Sequence, residues 1–133
     1  MSRLLERIEN FNRAFDLYKE MRDGFVADKM NNAYRLGLAQ SFEIICELGW
    51  KVLKDYLYTQ GIVANTPNEV IKEAFSKEVI SNGQIWIDMV QARNATSYEY
   101  NMDKIDVILR NISSTYYDEL CSFKVWLRSF DGK

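Results

Sequence analysis

Apolar side chains recur along this chain at intervals of three and four residues, the spacing that draws a single stripe along an α-helix. The run Leu4, Ile8, Phe11, Phe15, Tyr18 predicts a first helix that ends before Gly24. Leu38, Phe42, Ile45, Leu48, Val52 and Tyr56 form a longer stripe through SFEIICELGWKVLKDYLYTQG, with Gly61 as its C-terminal stop. In TPNEV, Thr66 is placed to accept from the amide three residues on and Glu69 to reach back. Pro67 takes the first helical position, where its missing N–H costs nothing. A short third helix follows. A fourth starts at SNGQIW, with Ser81 or Asn82 as its cap and Gln84 as the reciprocal partner of Ser81, and its stripe is Trp86, Met89, Val90, Arg93. The last stripe, Ile105, Leu109, Ile112, Tyr116, Leu120, Phe123, Leu127, Phe130, predicts one helix capped by Asp103.

No segment alternates with period two for long enough to make a strand, and there is no internal repeat or proline-rich linker. The expected fold is all-α, one domain over residues 1–133, arranged as an up-and-down bundle of about five helices. The pairing order of the helices stays open at this point.

The length of 133 residues suffices for a core that needs neither disulfide nor metal to hold it. With 47% hydrophobic and 27% charged residues, the chain falls among soluble globular proteins rather than disordered or membrane classes. A formal net charge of -2, from 17 basic and 19 acidic side chains, supplies no global positive field, so any nucleic-acid contact is local. Cys46 and Cys121 stand apart in apolar helical settings, and both read as buried thiols. Charges interrupt every apolar run in MSRLLERIENF, so neither a signal-peptide core nor a membrane span is expected, and a cytoplasmic location is.

The chain contains no histidine. That removes the usual base of serine- and cysteine-protease chemistry and the Glu-x-x-His ligands of a carboxylate metal site in a bundle. Glu43 and Glu47 lie one turn apart, but Glu47 has Lys51 four residues on, so an ordinary ion pair accounts for it better than a metal. The glycines are isolated and form no phosphate loop. No metal or cofactor is expected. Arg93 stands out because it falls on the stripe of its own helix, seven residues after Trp86. A guanidinium there either snorkels or forms an internal salt bridge, or else it faces a cleft or a dimer partner and binds phosphate in fork geometry. Asn94, Thr96 and Ser97, modest helix formers, weaken the helix beyond Arg93 and would let Tyr98 and Tyr100 turn toward it.

Four stretches, ENFNRAFDLYKE, SFEIICELGWKVLKDYL, TPNEVIKEAFSKEVISNGQIWIDM and RNATSYEY, cover most of the chain. In that order they resemble the small all-helical nucleotidyltransferase substrate-binding proteins, the HepT-like branch of the HEPN superfamily. The family pattern in the last stretch is Arg-Asn, three variable residues, His, one variable residue, Tyr. Arg93, Asn94 and Tyr100 match it, and Tyr98 stands in place of the histidine.

The resemblance implies a HEPN-like bundle, a homodimer and a minimal nucleotidyltransferase partner within a toxin–antitoxin-type module. It also implies a dimer-interface cleft that binds nucleotide or RNA through Arg93, Asn94, Tyr98 and Tyr100, with Tyr100 as acceptor of AMP. The family's metal-free RNA cleavage uses the arginine and the histidine. A phenol with a reference pKa of about 10 is a poor base at neutral pH, so Arg93 and Tyr98 make an impaired catalytic pair and little or no catalysis is expected. The rival readings are an active ribonuclease in which Tyr98 or Glu99 replaces the histidine, and a helical adaptor without nucleotide chemistry.

Overall fold

Helix α1 (Ser2–Ala27) and helix α2 (Asn32–Thr59) are joined by a short turn and pack along one another as a hairpin. Around them lie α3 (Pro67–Ser76), α4 (Gly83–Thr96), α5 (Met102–Ser113) and α6 (Thr115–Leu127), followed by a 3-10 turn over Arg128–Phe130. The computed structural model describes residues 2–96 and 102–130, and among these there is no strand. The all-α bundle is therefore the observed architecture.

The stripes become the core. Leu4, Ile8, Phe11, Phe15 and Tyr18 of α1 are buried, as are Leu38, Phe42, Ile45 and Val52 of α2. They meet Leu109 and Ile112 of α5 and Tyr116, Leu120, Phe123 and Leu127 of α6 in one apolar cluster. Aromatic edges knit this cluster across elements: the Phe11 and Phe123 rings meet edge-to-face at 5.3 Å, and Phe42 stacks on Tyr116 at 5.8 Å.

The caps were readable, with differences of one residue. Thr66 Oγ1 accepts from the Glu69 amide at 3.2 Å, as the capping box requires. The Glu69 carboxylate, however, accepts from the Asn65 amide at 3.0 Å rather than from that of Thr66. Of the two candidates before α4 it is Asn82 whose Oδ1 takes the Ile85 amide, so Gln84 turns instead to Asp88. Gly61 ends the α2 segment with a φ of 80°, a backbone conformation that favours glycine.

Four expectations are corrected. Helix α1 runs through Gly24 to Ala27. That glycine is a packing site: a Cβ there would lie 2.1 Å from the Tyr34 ring of α2, so its bareness lets the hairpin close. Asp103 lies inside α5, which begins at Met102, and is not its cap. Cys46 is buried but Cys121 only partly so, both being free thiols; burial pushes the Cys46 thiol up to about 12.

The fourth correction is the largest. The single long C-terminal helix is broken at Ser114, whose φ and ψ are -127° and -83°. The Ser113 and Ser114 hydroxyls both donate to the Arg110 carbonyl, at 3.0 and 2.6 Å, competing with the helical ladder. The break leaves the carbonyls of Ile112 and Ser113 to be satisfied from elsewhere, and α1 does so. The Tyr18 hydroxyl donates to Ile112 at 2.6 Å, and Arg22 Nε donates to Ser113 at 2.9 Å while its guanidinium lies 4.3 Å from the centre of the Tyr117 ring. Burial holds the Tyr18 phenol above its ordinary value, so it remains a donor at every physiological pH.

Tyr18→Phe therefore strips a buried carbonyl of its donor without opening a cavity. We expect a loss of about 1–3 kcal/mol in unfolding free energy, measured by chemical denaturation, whereas Tyr58→Phe on the exposed end of α2 leaves stability unchanged.

Candidate functional site

Trp86 sets the register of α4. Its indole is fully buried, lies edge-on to Phe123 at 5.0 Å, and donates from Nε1 to the Glu119 carboxylate of α6 at 3.0 Å. Its six-membered ring rests against the backbone of α2 at Gly49, where an added Cβ would already touch it at 3.4 Å. With Trp86 and Met89 sealed in the core, the helical rise of about 10 Å over seven residues carries Arg93 to the end of α4 and out to the margin of the apolar layer.

There Arg93 is 39% exposed, and its Nη2 lies 3.7 Å from Glu47 Oε2 of α2. Its Nη1 donates to the Asn94 side chain at 3.2 Å. The Glu47 carboxylate is shared: Oε2 also accepts from Trp50 Nε1 at 3.0 Å, and Oε1 pairs with Lys51 at 3.4 Å. Partial burial raises the Glu47 pKa, but the Trp50 hydrogen bond and the Lys51 and Arg93 charges outweigh it, so the carboxyl sits below its usual range. Outside this knot an open groove of about 450 Å³ runs along α2, lined by Gln40, Glu43, Ile44, Glu47, Leu48 and Arg93.

Both readings of Arg93 thus have a geometric basis. The guanidinium forms an internal ion pair, at the long end of the range, and it also lines a surface groove. The groove holds two carboxylates against one arginine, so within a single chain it has no excess of positive charge to attract an anion. Among the described residues no group of three acidic, cysteine or histidine side chains is arranged to hold an ion.

The helix persists through Arg93 and Asn94 to Thr96, so the weakening expected from Asn94 and Thr96 does not break it there. Tyr98, Glu99 and Tyr100 lie outside the described residues. The contact between Arg93 and Glu47 was not apparent from the sequence, since it depends on which helices are neighbours. The i,i+4 relation of Glu47 to Lys51 was apparent and is present.

The chain is a helical bundle whose motif arginine opens onto a groove between α2 and α4. Its sequence places it more narrowly: the family model described as nucleotidyltransferase substrate binding protein like matches residues 6–129, and the chain belongs to that family. No curated protein matched the chain. No helix among the described residues is long and apolar enough to cross a membrane.

Because the folded-state pKa of Glu47 is depressed, the unfolded chain binds more protons as pH falls, and the stability Glu47 contributes is lost through that depressed pKa. Glu47→Gln should lower stability at neutral pH by no more than about 1 kcal/mol, as is usual for partly exposed pairs. The gap between variant and parent should be constant above the ordinary carboxylate value of 4.5 and close below it, a dependence readable from melting curves across pH.

Proposed function

We propose that this chain is the substrate-binding partner of a minimal nucleotidyltransferase in a toxin–antitoxin-type module, and that it accepts AMP on Tyr100. The observation that carries this reading is the position of Arg93. Within a family-wide match that includes RNATSYEY, the motif arginine stands at the end of α4 on the rim of an open groove instead of being sealed in the core. A guanidinium so placed, restrained by Glu47 and Asn94, can meet a phosphate oxygen in a bidentate manner once a second molecule displaces or dilutes the Glu47 charge.

The dimer belongs to the same proposal. Trp86 and Met89 are consumed by the core and are unavailable to a partner copy. Beside Arg93 the groove offers Ile44, 50% exposed, while Leu36, 61% exposed, lies about two turns further back along α2. Ile44 lines the groove, and a second copy seated over it and Leu36 would bring another Arg93 toward the first. Nucleotide or RNA would then bind between the two protomers, with Asn94, Tyr98 and Tyr100 contributing polar groups.

In the transfer step the Tyr100 phenolic oxygen bonds to the α-phosphorus of ATP held by the nucleotidyltransferase. The bond from that phosphorus to the bridging oxygen breaks, pyrophosphate leaves, and the phenolic proton passes to a base on the partner enzyme. Tyr98, in the position of the family histidine, supplies a hydroxyl and a ring for stacking but not a neutral-pH base. Loss of a general base typically costs about 10²- to 10⁴-fold in rate, so RNA cleavage by this chain is expected to be weak or absent.

Two measurements test the reading. Incubated with its nucleotidyltransferase and ATP, the protein should gain one AMP, located to Tyr100 by peptide mass spectrometry and absent from Tyr100→Phe. An adduct elsewhere, or none, contradicts the acceptor role. In chelator, the parent should leave RNA intact while Tyr98→His cuts it. Efficient cutting by the parent, lost with Arg93→Ala, would instead identify an active ribonuclease that needs no histidine.

A further inference from the structure

A second concave feature lies away from Arg93, between the α1–α2 turn and α5. It is a cleft of about 260 Å³ into which Lys29 from the turn, Arg35 from the first turn of α2 and Arg110 from α5 all project. Among the described residues one carboxylate, Asp106, lines it, so three cations face one anion there in a chain whose overall charge is negative. That local excess is what the Arg93 groove lacks.

Arg35 is the fixed element of the cleft. Its side chain is only 14% exposed and is held from two sides, by the Lys29 carbonyl at 3.2 Å from Nη1 and by the Asp106 carboxylate on Nη2. A guanidinium immobilised in this way has already lost its rotamer freedom, so its remaining N–H donors engage a ligand at little further entropic cost. Arg110 and Lys29 are both exposed, and neither takes part in an ion pair among the described residues. Their charges are available. The wall between them is apolar, formed by buried Phe25 and by Met30, whose side chain is 82% exposed over the opening.

The volume falls below the roughly 300–1,000 Å³ of sites that enclose a drug-sized molecule. It suits a phosphate group with an adjoining flat or apolar portion at the rim, which the Met30 thioether can cover. Asp106, itself 49% exposed, can rotate away from Arg35 as an incoming dianion takes its place on the guanidinium.

We propose that Lys29, Arg35 and Arg110 form a phosphate-binding site, distinct from the Arg93 groove, that takes the phosphate of a nucleotide or of a polynucleotide strand. The site rests on the geometry of the cleft. Only the choice of nucleotide probes rests on the functional reading above. The helix that supplies Arg110 and Asp106 starts two residues after Tyr100, so the cleft and the AMP acceptor are carried by consecutive segments of chain.

The test uses the whole protein with three probes: inorganic phosphate, AMP, and a fluorescein-labelled oligouridylate of about 12 nucleotides. Titrations are followed by calorimetry for the first two and by anisotropy for the third. The Lys29→Glu/Arg110→Glu double variant changes only exposed side chains and leaves intact the Lys29 carbonyl that holds Arg35, so its melting temperature should match the parent. Its affinity for whichever probe the parent binds should fall about 10- to 100-fold or more. For the oligouridylate, the slope of log affinity against log salt should flatten by about one per lost phosphate contact, seen singly in Lys29→Gln and Arg110→Gln. Binding of AMP alone identifies a nucleotide as the ligand, and salt-sensitive binding of the oligouridylate identifies a strand; either upholds the site. If no probe binds the parent, or if the double variant binds as the parent does, the site is refuted. Binding lost in Arg93→Ala but kept in the double variant refutes this site while leaving the Arg93 reading in place.

Discussion

The bundle depends on a break in a helix and on the side chains that make the break tolerable. At Ser114 the C-terminal helix turns, and the carbonyls of Ile112 and Ser113 would be buried or half-buried acceptors without donors. Tyr18 and Arg22, one turn apart on α1, reach across and supply both hydrogen bonds. The contact ties sequence positions more than ninety residues apart, and it decides the direction in which α5 leaves α6. Beyond the break, α5 packs beside α1, α2 and α4.

Electrostatics then divides that surface. Around Arg93, the carboxylates of Glu43 and Glu47 and the Lys51 amine nearly balance the guanidinium, and the indole of Trp50 takes up one of the remaining lone pairs of Glu47. Around Arg35, the balance is left positive by design of position rather than of composition, because the three basic residues come from three separate elements. A chain with a net charge of -2 can therefore hold an anion only where the fold gathers cations, and the α1–α2 turn against α5 is such a place.

Much of the fold was readable because the stripes were continuous. Leu4 to Tyr18 and Leu38 to Val52 repeat at helical spacing, and almost every member is buried. The break at Ser114 was not, because Ile105 to Phe130 keeps its periodicity through the kink. Only the Ser113-Ser114 pair hinted at competition for backbone bonds. Gly24 misled for a related reason: glycine serves equally as a helix stop and as room for a neighbour, and the Tyr34 ring that needs the room is ten residues on. At the candidate site, Arg93 was conspicuous as a charge on an apolar stripe. Its partner Glu47 and the convergence of Lys29, Arg35 and Arg110 follow from which helices are neighbours, information that a one-dimensional pattern does not carry.

The three tryptophans occupy three different settings: Trp86 is fully enclosed, Trp126 stacks on Phe123 and meets Tyr56 and Phe130 edge-on, and Trp50 is half-buried with its N–H on Glu47. The last is the informative one. Its indole shares a single carboxylate oxygen with Arg93, so any molecule that draws the guanidinium outward changes the negative potential felt by that ring. A natural chromophore thus sits one oxygen atom away from the Arg93 guanidinium, so the state of that ion pair is written into the surroundings of an indole and needs no attached dye.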